Sequence, residues 1–342
     1  MTPTAQPSRI QVIDAFRGIA ILAVMAYHYT VRWPEFYGYS SSYSELFRIG
    51  QYGVHLFFVV SGLVITMTVI RSDSAFQFAV RRAARLYPAF VAAAVVTFVA
   101  MRFFGPARFQ FSAWDLLASL TMDARAIGAN YVDGAYWSLA VEVKFYAYVA
   151  LARSILKDRF WLGVLAVALL STLPLGSTWA YVLIADWWPY LLLGMSGWYL
   201  IYEKKSLQGI ALGLASVFLY ILHQPAGMLV DVLIWSLALG MLLLLKFSPS
   251  WAPLPVRWLA WVGSISYSLY LLHQNMGVTL IGRLTGIGLP DIPAMAVAAV
   301  AMMAIAHFSF TYIEKPGARF VMSTYARIRG SDRPSQPESA PA

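Results

Sequence analysis

Long apolar segments follow one another along almost the entire chain, separated by short stretches that contain glycine, proline or charge. A helix needs about 20 predominantly apolar residues to cross the hydrocarbon core of a bilayer. Only 12% of the 342 residues are charged and 60% are hydrophobic, whereas soluble globular chains carry about 25% charged residues. This pattern excludes an ordinary soluble domain and predicts a protein that resides in a membrane.

We predict an all-α, polytopic membrane bundle of about ten transmembrane helices. The predicted spans are residues 10–31, 52–70, 87–104, 136–152, 160–175, 180–202, 207–222, 227–246, 256–281 and 291–313. Most of the 25 Lys and Arg residues fall in alternate loops, and cytoplasmic loops carry such an excess. Both termini are therefore predicted to be cytoplasmic. The same bias accounts for the net charge of +9, so no nucleic-acid partner is predicted.

The chain is expected to consist of a membrane domain, residues 1–326, and a tail, residues 327–342. The tail is rich in Pro, Ser and Ala, which predicts a disordered cytoplasmic segment. The first apolar segment has no cleavage site of small residues after it and is interpreted as a retained span. The chain has no cysteine, which excludes thiolate catalysis and Cys-ligated metals, and no metal site is predicted.

Ionisable side chains within the predicted spans are the candidate functional residues, because each costs several kcal/mol in lipid unless it has a partner. They include Asp14, Arg17, His28, His55, Glu142, Lys144, His273 and His307. Counted from the span ends, four of these are predicted to lie at a similar depth in the outer half: His28, His55, Glu142 and His273. We expect Glu142 to lie beside an imidazole and to fix its tautomer, as a general base requires.

Arg17 and His28 are predicted to share one face of the first span, with Asp14 beside Arg17. Their separation corresponds to about 1100° of helix rotation, about 20° beyond three full turns, and to a rise of about 16 Å. A snorkelling arginine and a hydrogen-bonded core histidine are the alternative interpretation. Lys144 is about 200° around its helix from Glu142, so it is expected to pair with Asp14 or to contact a bound substrate.

Arg82 and Arg85 lie at the predicted cytoplasmic end of the third span. Their i, i+3 spacing puts them on one helix face if the helix begins there. Paired guanidinium groups suit phosphates, although simple anchoring by positive charge gives the same pattern. A phosphate-bearing donor inside the cell and a base near the outer surface would suit a reaction across the bilayer.

Five ordered motifs resemble those of the membrane acyltransferase type 3 family. They are residues 13–20 followed by His28, and residues 53–62, 82–88, 137–146 and 266–273. Residues 312–316 are similar to the C-terminal signature of the family. His55 departs from the pattern, because many relatives carry an acidic residue before the Leu-Phe-Phe run. The extracytoplasmic esterase-like domain of some relatives is absent from this sequence, so we expect the chain to act alone or to pass its acyl group to a partner.

The resemblance implies a multi-pass O-acyltransferase of the bacterial inner membrane. Such enzymes move an acyl group, commonly acetyl, from cytoplasmic acyl-CoA to a hydroxyl of a cell-surface or lipid-linked glycan, or to a small molecule such as a macrolide. It implies that His28 is the essential histidine, that Arg17 is its motif partner, and that Arg82 and Arg85 lie near the donor. Acyl-CoA is a co-substrate, and no tightly bound cofactor is predicted.

Our mechanistic hypothesis is that His28, oriented by Glu142, removes the proton from an acceptor hydroxyl that attacks the thioester, or else forms a transient acyl-imidazole. Tyr136, Ser138 and Gln274 are candidate oxyanion-hole residues by depth, and Trp137 and His273 belong to the resembling motifs. Buried His and carboxylate groups also suit a proton-coupled transporter. That alternative and a non-catalytic membrane scaffold stay open from the sequence alone.

Overall fold

All secondary structure in the described part of the chain is helical, which confirms the predicted fold class. The computed structural model describes residues 7–37, 44–174, 176–223, 228–247 and 254–331. The helices of the first half are α1 (Pro7–Tyr27), α2 (Trp33–Tyr37), α3 (Ser44–Phe47), α4 (Gly53–Ile70), α5 (Ala75–Phe104), α6 (Ala113–Ser119), α7 (Trp137–Leu156) and α8 (Phe160–Leu170). Those of the second half are α9 (Ser177–Val182), α10 (Trp188–Trp198), α11 (Ser206–His223), α12 (Met228–Phe247), α13 (Leu254–Ser264), α14 (Ser266–Gly286), α15 (Asp291–Ser309) and α16 (Lys315–Ser331).

Five helical stretches among these residues are long and apolar enough to cross a bilayer. They are Gln11–Phe36, Glu45–Ile70, Ala75–Phe104, Ser206–His223 and Asp291–Gly330. Every predicted span coincides with one or more helices, but some of these, such as α8 and α10 with 11 residues each, are shorter than a bilayer requires. The count of ten spans and the cytoplasmic position of the termini therefore stay predictions.

Several predicted spans are interrupted. Ile184 adopts a left-handed conformation (φ 50°, ψ 41°) between α9 and α10, and the span predicted over 256–281 is divided at Ile265. Five-residue π-helical turns begin at His28, Tyr199 and Phe310. Hydropathy does not reveal these breaks, because each lies in or next to a segment that is apolar on average. Such π-helical turns occur frequently at functional sites, and one of them begins at His28.

The third predicted span begins earlier than residue 87. Helix α5 begins at Ala75, where the Ser74 hydroxyl accepts a hydrogen bond from the Gln77 backbone N–H at 3.1 Å, a standard N-cap. Arg82 and Arg85 consequently lie two to three turns inside a continuous helix. At the other end of the chain, α16 continues to Ser331, so residues 327–331 of the predicted tail are helical, and residues 332–342 lie outside the described residues.

The segment between α5 and α7 folds inward as a loop that is held by hydrogen bonds between its own residues. It contains α6, which begins with a capping box between Ser112 and Asp115. The Asp115 carboxylate also accepts the Asn130 backbone N–H at 2.9 Å. Burial acts to raise the pKa of Asp115, but hydrogen bonds from Ser112 and Asn130 outweigh it and lower that pKa. This loop leads directly into α7, whose first residues line the candidate site.

Glycines allow the helices to pack with their backbones in contact. A Cβ atom on Gly62 of α4 would lie 2.0 Å from the Leu191 carbonyl oxygen of α10. A Cβ atom on Gly194 of α10 would lie 2.0 Å from the Val59 carbonyl oxygen of α4. Small residues bring helices together in this way where lipid provides no hydrophobic driving force.

The same arrangement joins α1 to α13. A Cβ atom on Gly18 would lie 2.2 Å from the Leu259 carbonyl oxygen, and one on Gly263 would lie 1.7 Å from the Asp14 carbonyl oxygen. The contact fixes α1, which carries Arg17 and His28, against the helix that leads into α14.

Replacing Gly62 with Ala is expected to destabilise the protein by about 1–3 kcal/mol, since the added methyl group forces two helix backbones apart. The matched control is Gly240→Ala on α12, where a Cβ atom meets nothing within 4 Å. Thermal unfolding in detergent, followed by tryptophan fluorescence, should show a lower midpoint for Gly62→Ala alone. Equal midpoints for the two variants would contradict the proposed packing.

Candidate active site

A cavity of about 130 Å³ lies between helices α1, α4, α5, α7 and α14. Its apolar lining comes largely from α4. Its polar and charged lining residues are Arg17, Ser61, Arg82, Arg85, Ser138, Glu142, Tyr146, Ser266, Tyr267 and Tyr270. Arg17, Arg82 and Arg85 therefore face one cavity, although they come from α1 and α5.

Two of these arginines have carboxylate partners. Arg17 lies 3.5 Å from Asp14 on the same helix, as their spacing predicts. Arg85 forms an ion pair with Glu314, whose side chain is 4% exposed. Glu314 also accepts a hydrogen bond from the Ser268 hydroxyl at 2.8 Å. The positive charge of Arg85 is therefore compensated by a buried carboxylate.

Arg82 differs from its neighbours. Its guanidinium carbon lies 5.8 Å from the centre of the Tyr146 ring, and its buried Nε atom has no hydrogen-bond partner within the described ranges. The Tyr146 hydroxyl donates to Glu142, and the Ser61 hydroxyl donates to the same carboxylate oxygen at 3.2 Å. Arg82 thus provides the least compensated positive charge in the cavity.

His28 and His273 form a pair near the cavity. His28 Nδ1 lies 2.9 Å from His273 Nε2, and the ring centres are 4.9 Å apart. His273 is fully buried, whereas His28 is half-buried. Of the predicted outer-half group, these two are the residues that the structure brings together.

The expected contact between Glu142 and His28 is wrong. Glu142 bonds to Tyr146 and Ser61 instead, and the titratable side chain that bonds to the His28 ring is His273. Counting from the ends of apolar segments gave Glu142 and His28 a similar depth, which these contacts do not support. Because Tyr136 is already fully buried where α7 begins, Glu142 lies at the level of Ser61, two turns beyond His55 on α4.

His55 also lies apart from the histidine pair. Its ring packs against the rings of Tyr52, Trp187 and Tyr190, with centre-to-centre distances of 5.2, 5.3 and 4.7 Å. Its buried Nδ1 atom has no hydrogen-bond partner within the described ranges. The adjacent motif residue Trp137 is 38% exposed and stacks near Trp187, at 5.1 Å.

The expected pairing of Lys144 with Asp14 is wrong. The Lys144 ammonium lies 3.0 Å from the Asp123 carboxylate and 3.3 Å from the centre of the Tyr181 ring. Asp123 also accepts a hydrogen bond from the Tyr181 hydroxyl. The side chain extends towards the loop between α5 and α7 because that loop folds inward, which helix geometry alone does not indicate.

Tyr270 connects the cavity with the histidine pair. It lines the cavity, and its ring centre lies 5.7 Å from that of His273. Its hydroxyl is 2.6 Å from the Ser138 hydroxyl and donates to the Ala135 carbonyl at 2.9 Å. Ser138 therefore faces the cavity, as an oxyanion donor would need to do, whereas the Tyr136 hydroxyl is engaged by the Leu271 carbonyl at 3.2 Å.

A buried carboxylate holds the loop before α7 against α14. Asp133 accepts the backbone N–H groups of Ala135 and Asn275, both at 2.9 Å. Because burial disfavours the charged form, the pKa of Asp133 is raised to about 7. This contact fixes the start of α7 against Asn275, which is two residues after His273 on α14.

Sequence reasoning missed three residues that organise the site: Glu314, Asp133 and Tyr270. Glu314 and Tyr270 lay within recognised motifs but were not singled out, and an acidic residue in an apolar context was the available signal for Glu314. Asp133 gave no comparable signal, since carboxylates are common in loops.

Comparisons with known proteins found matches to parts of two proteins. An O-acetyl transferase of Shigella phage Sf6 is 32% identical over 23% of this chain and 22% of its own length. Nodulation protein 10 of Rhizobium leguminosarum is 30% identical over 34% of this chain and 36% of its own. No solved structure matches.

A longer alignment joins the chain to the peptidoglycan O-acetyltransferase OatA of Listeria monocytogenes. The two are 27% identical over 89% of this chain, which corresponds to 55% of the Listeria protein. The chain thus spans about half the length of that relative. The acyltransferase-domain family matches residues 10–310. The chain therefore belongs to the acyltransferase 3 family.

Proposed function

We propose that this protein is a membrane O-acyltransferase that moves an acetyl group from cytoplasmic acyl-CoA to a hydroxyl of a cell-surface or lipid-linked glycan. The observation that carries the proposal is the cavity lined by Arg17, Arg82 and Arg85. The same cavity is bounded by Tyr270, whose ring contacts one member of the His28–His273 pair. The three arginines of the proposed anion site and the candidate base, His28, therefore lie on either side of Tyr270.

The donor is assigned from the charge of the cavity. Guanidinium groups bind phosphate oxygens through short, charge-assisted hydrogen bonds, and the phosphates of acyl-CoA are a matching set of anions. Arg82 has an unpartnered Nε donor, so it can bind a phosphate without breaking an existing ion pair. Arg17 adds a second positive charge to the cavity lining. Arg85 adds a third, although it is paired with Glu314.

The acceptor and location are assigned from the relatives. The Listeria relative is named a peptidoglycan O-acetyltransferase, which supports a glycan hydroxyl at the outer surface. The distribution of Lys and Arg supports about ten spans with both termini in the cytoplasm of a bacterial inner membrane. This orientation directs the end of α5 that carries Arg82 towards the cytoplasm, where acyl-CoA is available.

The chemistry proposed is direct acyl transfer. His28 removes the proton from the acceptor hydroxyl as its oxygen attacks the thioester carbonyl. The C–S bond then breaks, and the proton passes from the imidazolium to the departing thiolate. The products are an acetyl ester and CoA in its thiol form. Ser138 lines the cavity and stabilises the carbonyl oxygen once its single hydroxyl hydrogen turns from Tyr270 or Ala135 to the substrate.

Replacing His28 with Ala is expected to reduce acetyl transfer by at least about 100-fold, since a general base contributes that much to such reactions. The measurement is ester-bound acetate on surface glycans, by mass spectrometry, in cells that express each variant. His307→Ala is the matched control, because His307 is exposed on α15 and should retain activity. Normal acetylation by His28→Ala would refute His28 as the base, and no acetylation by the wild-type chain would refute the proposed reaction.

Replacing Arg82 with Gln is expected to raise the KM for acetyl-CoA by about 10- to 100-fold, because a hydrogen bond to a charged group contributes about 1.5–3 kcal/mol. Arg81→Gln is the matched control, since Arg81 donates to the Arg71 carbonyl at 2.9 Å and does not line the cavity. Purified protein in detergent, assayed for CoA release, provides the measurement. An unchanged KM for Arg82→Gln would remove this residue from the donor site.

Replacing Arg85 with Gln is expected to lower stability by on the order of 3 kcal/mol, because it leaves the buried Glu314 carboxylate unpaired. The double variant Arg85→Gln, Glu314→Gln should recover most of the loss, since no buried charge then remains. Thermal unfolding of wild-type, single and double variants measures the effect. A double variant no more stable than Arg85→Gln would contradict this interpretation.

A further inference from the structure

The tautomer of His273 is fixed by its own helix. Its Nδ1 atom lies 2.9 Å from the Tyr270 carbonyl and 3.2 Å from the Leu269 carbonyl. Carbonyl oxygens only accept hydrogen bonds, so Nδ1 must carry the hydrogen. In the neutral ring, Nε2 is then an unprotonated acceptor.

The tautomer of His28 follows from that of His273. His28 Nδ1 lies 2.9 Å from the acceptor His273 Nε2, so the hydrogen of this bond must belong to His28 Nδ1. In a neutral His28 ring the remaining nitrogen, Nε2, carries a free lone pair. The His28 ring also forms a hydrogen bond with the Val24 backbone, one turn earlier in the chain.

Several contacts hold His273 in place. The Tyr29 hydroxyl, from the residue after His28, donates to the His273 carbonyl at 3.2 Å. Asp133 accepts the backbone N–H of Asn275 at 2.9 Å, and the Tyr136 hydroxyl donates to the Leu271 carbonyl at 3.2 Å. Bonds from two other parts of the chain thus fix α14 on both sides of His273, in addition to the bonds of its ring.

We propose that His273 is a positioning residue that holds His28 in the Nδ1–H tautomer, so that His28 Nε2 is the atom that takes the acceptor proton. The inference rests on the proposed function and specifies its base at the level of one atom. A carboxylate has this role in the serine protease triad. Here the neutral imidazole of His273 supplies the acceptor. Glu142 lines the cavity instead.

The pair also stabilises the charged intermediate. When Nε2 takes the hydroxyl proton, His28 becomes an imidazolium, and its Nδ1–H bond to His273 becomes charge-assisted and stronger. The acceptor oxygen forms its bond to the acyl carbon as the thioester C–S bond breaks. His28 Nε2 then gives its proton to the thiolate, which returns both rings to their starting forms.

The wild-type tautomer can be measured directly. The chain has five histidines, so ring-¹⁵N-labelled histidine gives few signals, which single substitutions can assign. Long-range ¹H–¹⁵N spectra of the full chain in detergent should show His28 protonated at Nδ1 and unprotonated at Nε2. An Nε2–H tautomer of His28, or a doubly protonated His273, would overturn the proposal.

Two substitutions separate positioning from packing. His273→Phe keeps a planar ring but removes the acceptor, so kcat should fall about 100-fold with the KM for acetyl-CoA unchanged, because His273 does not line the cavity. His273→Gln offers an amide oxygen near the position of Nε2 and should retain about tenfold more activity than His273→Phe. A purely structural role predicts the reverse order, since Phe suits an apolar site better than Gln.

Comparing His28→Ala with His273→Phe distinguishes a failure of this proposal from a failure of the proposed function. If His28→Ala is active, the base itself is wrong. If His28→Ala is inactive while His273→Phe retains activity within about threefold of wild type, far less than a lost general base costs, then His28 acts without His273. The conclusion about positioning is overturned in that case, while the proposed transferase function stands. His307→Gln, on α15, serves as the control for both histidine variants.

Discussion

The structure depends on the rule that a polar side chain inside an apolar bundle must find a partner within the protein, because lipid offers none. The partners here come from distant parts of the chain. His28, just after α1, bonds to His273 on α14, and Arg85 on α5 pairs with Glu314, just before α16. Each pair joins helices that are far apart in sequence. The requirement to satisfy polar groups therefore also determines which helices meet around the cavity.

Close helix packing sets the geometry within which these pairs form. Glycines at the α1–α13 and α4–α10 crossings place backbone against backbone, which leaves little freedom for the helices to slide. Hydrogen bonds from Asp133 and Tyr136 fix the start of α7 against α14. A base and its partner must be held to within a few tenths of an ångström to act. The apolar packing and the polar pairs thus support one another.

The charged groups divide between two environments. Arg82 and Glu142 line the cavity, where Glu142 is engaged by Tyr146 and Ser61, whereas the histidine pair lies beyond Tyr270. In the proposed mechanism, this division separates the arginines of the donor site from the proposed base.

The sequence by itself determined the helical membrane class and the family, and it singled out several of the residues that line the cavity. Low charge and long apolar segments leave no other fold class, and the spacing of Arg17 from His28 and of Arg82 from Arg85 follows from helix periodicity alone. Pairing across the bundle could not be predicted in this way. The contact of Glu142 with Ser61, that of Lys144 with Asp123, and that of His28 with His273 depend on the depth at which each helix begins and on an inward-folded loop. Those depths are set by packing between distant segments, which periodicity within one helix does not contain.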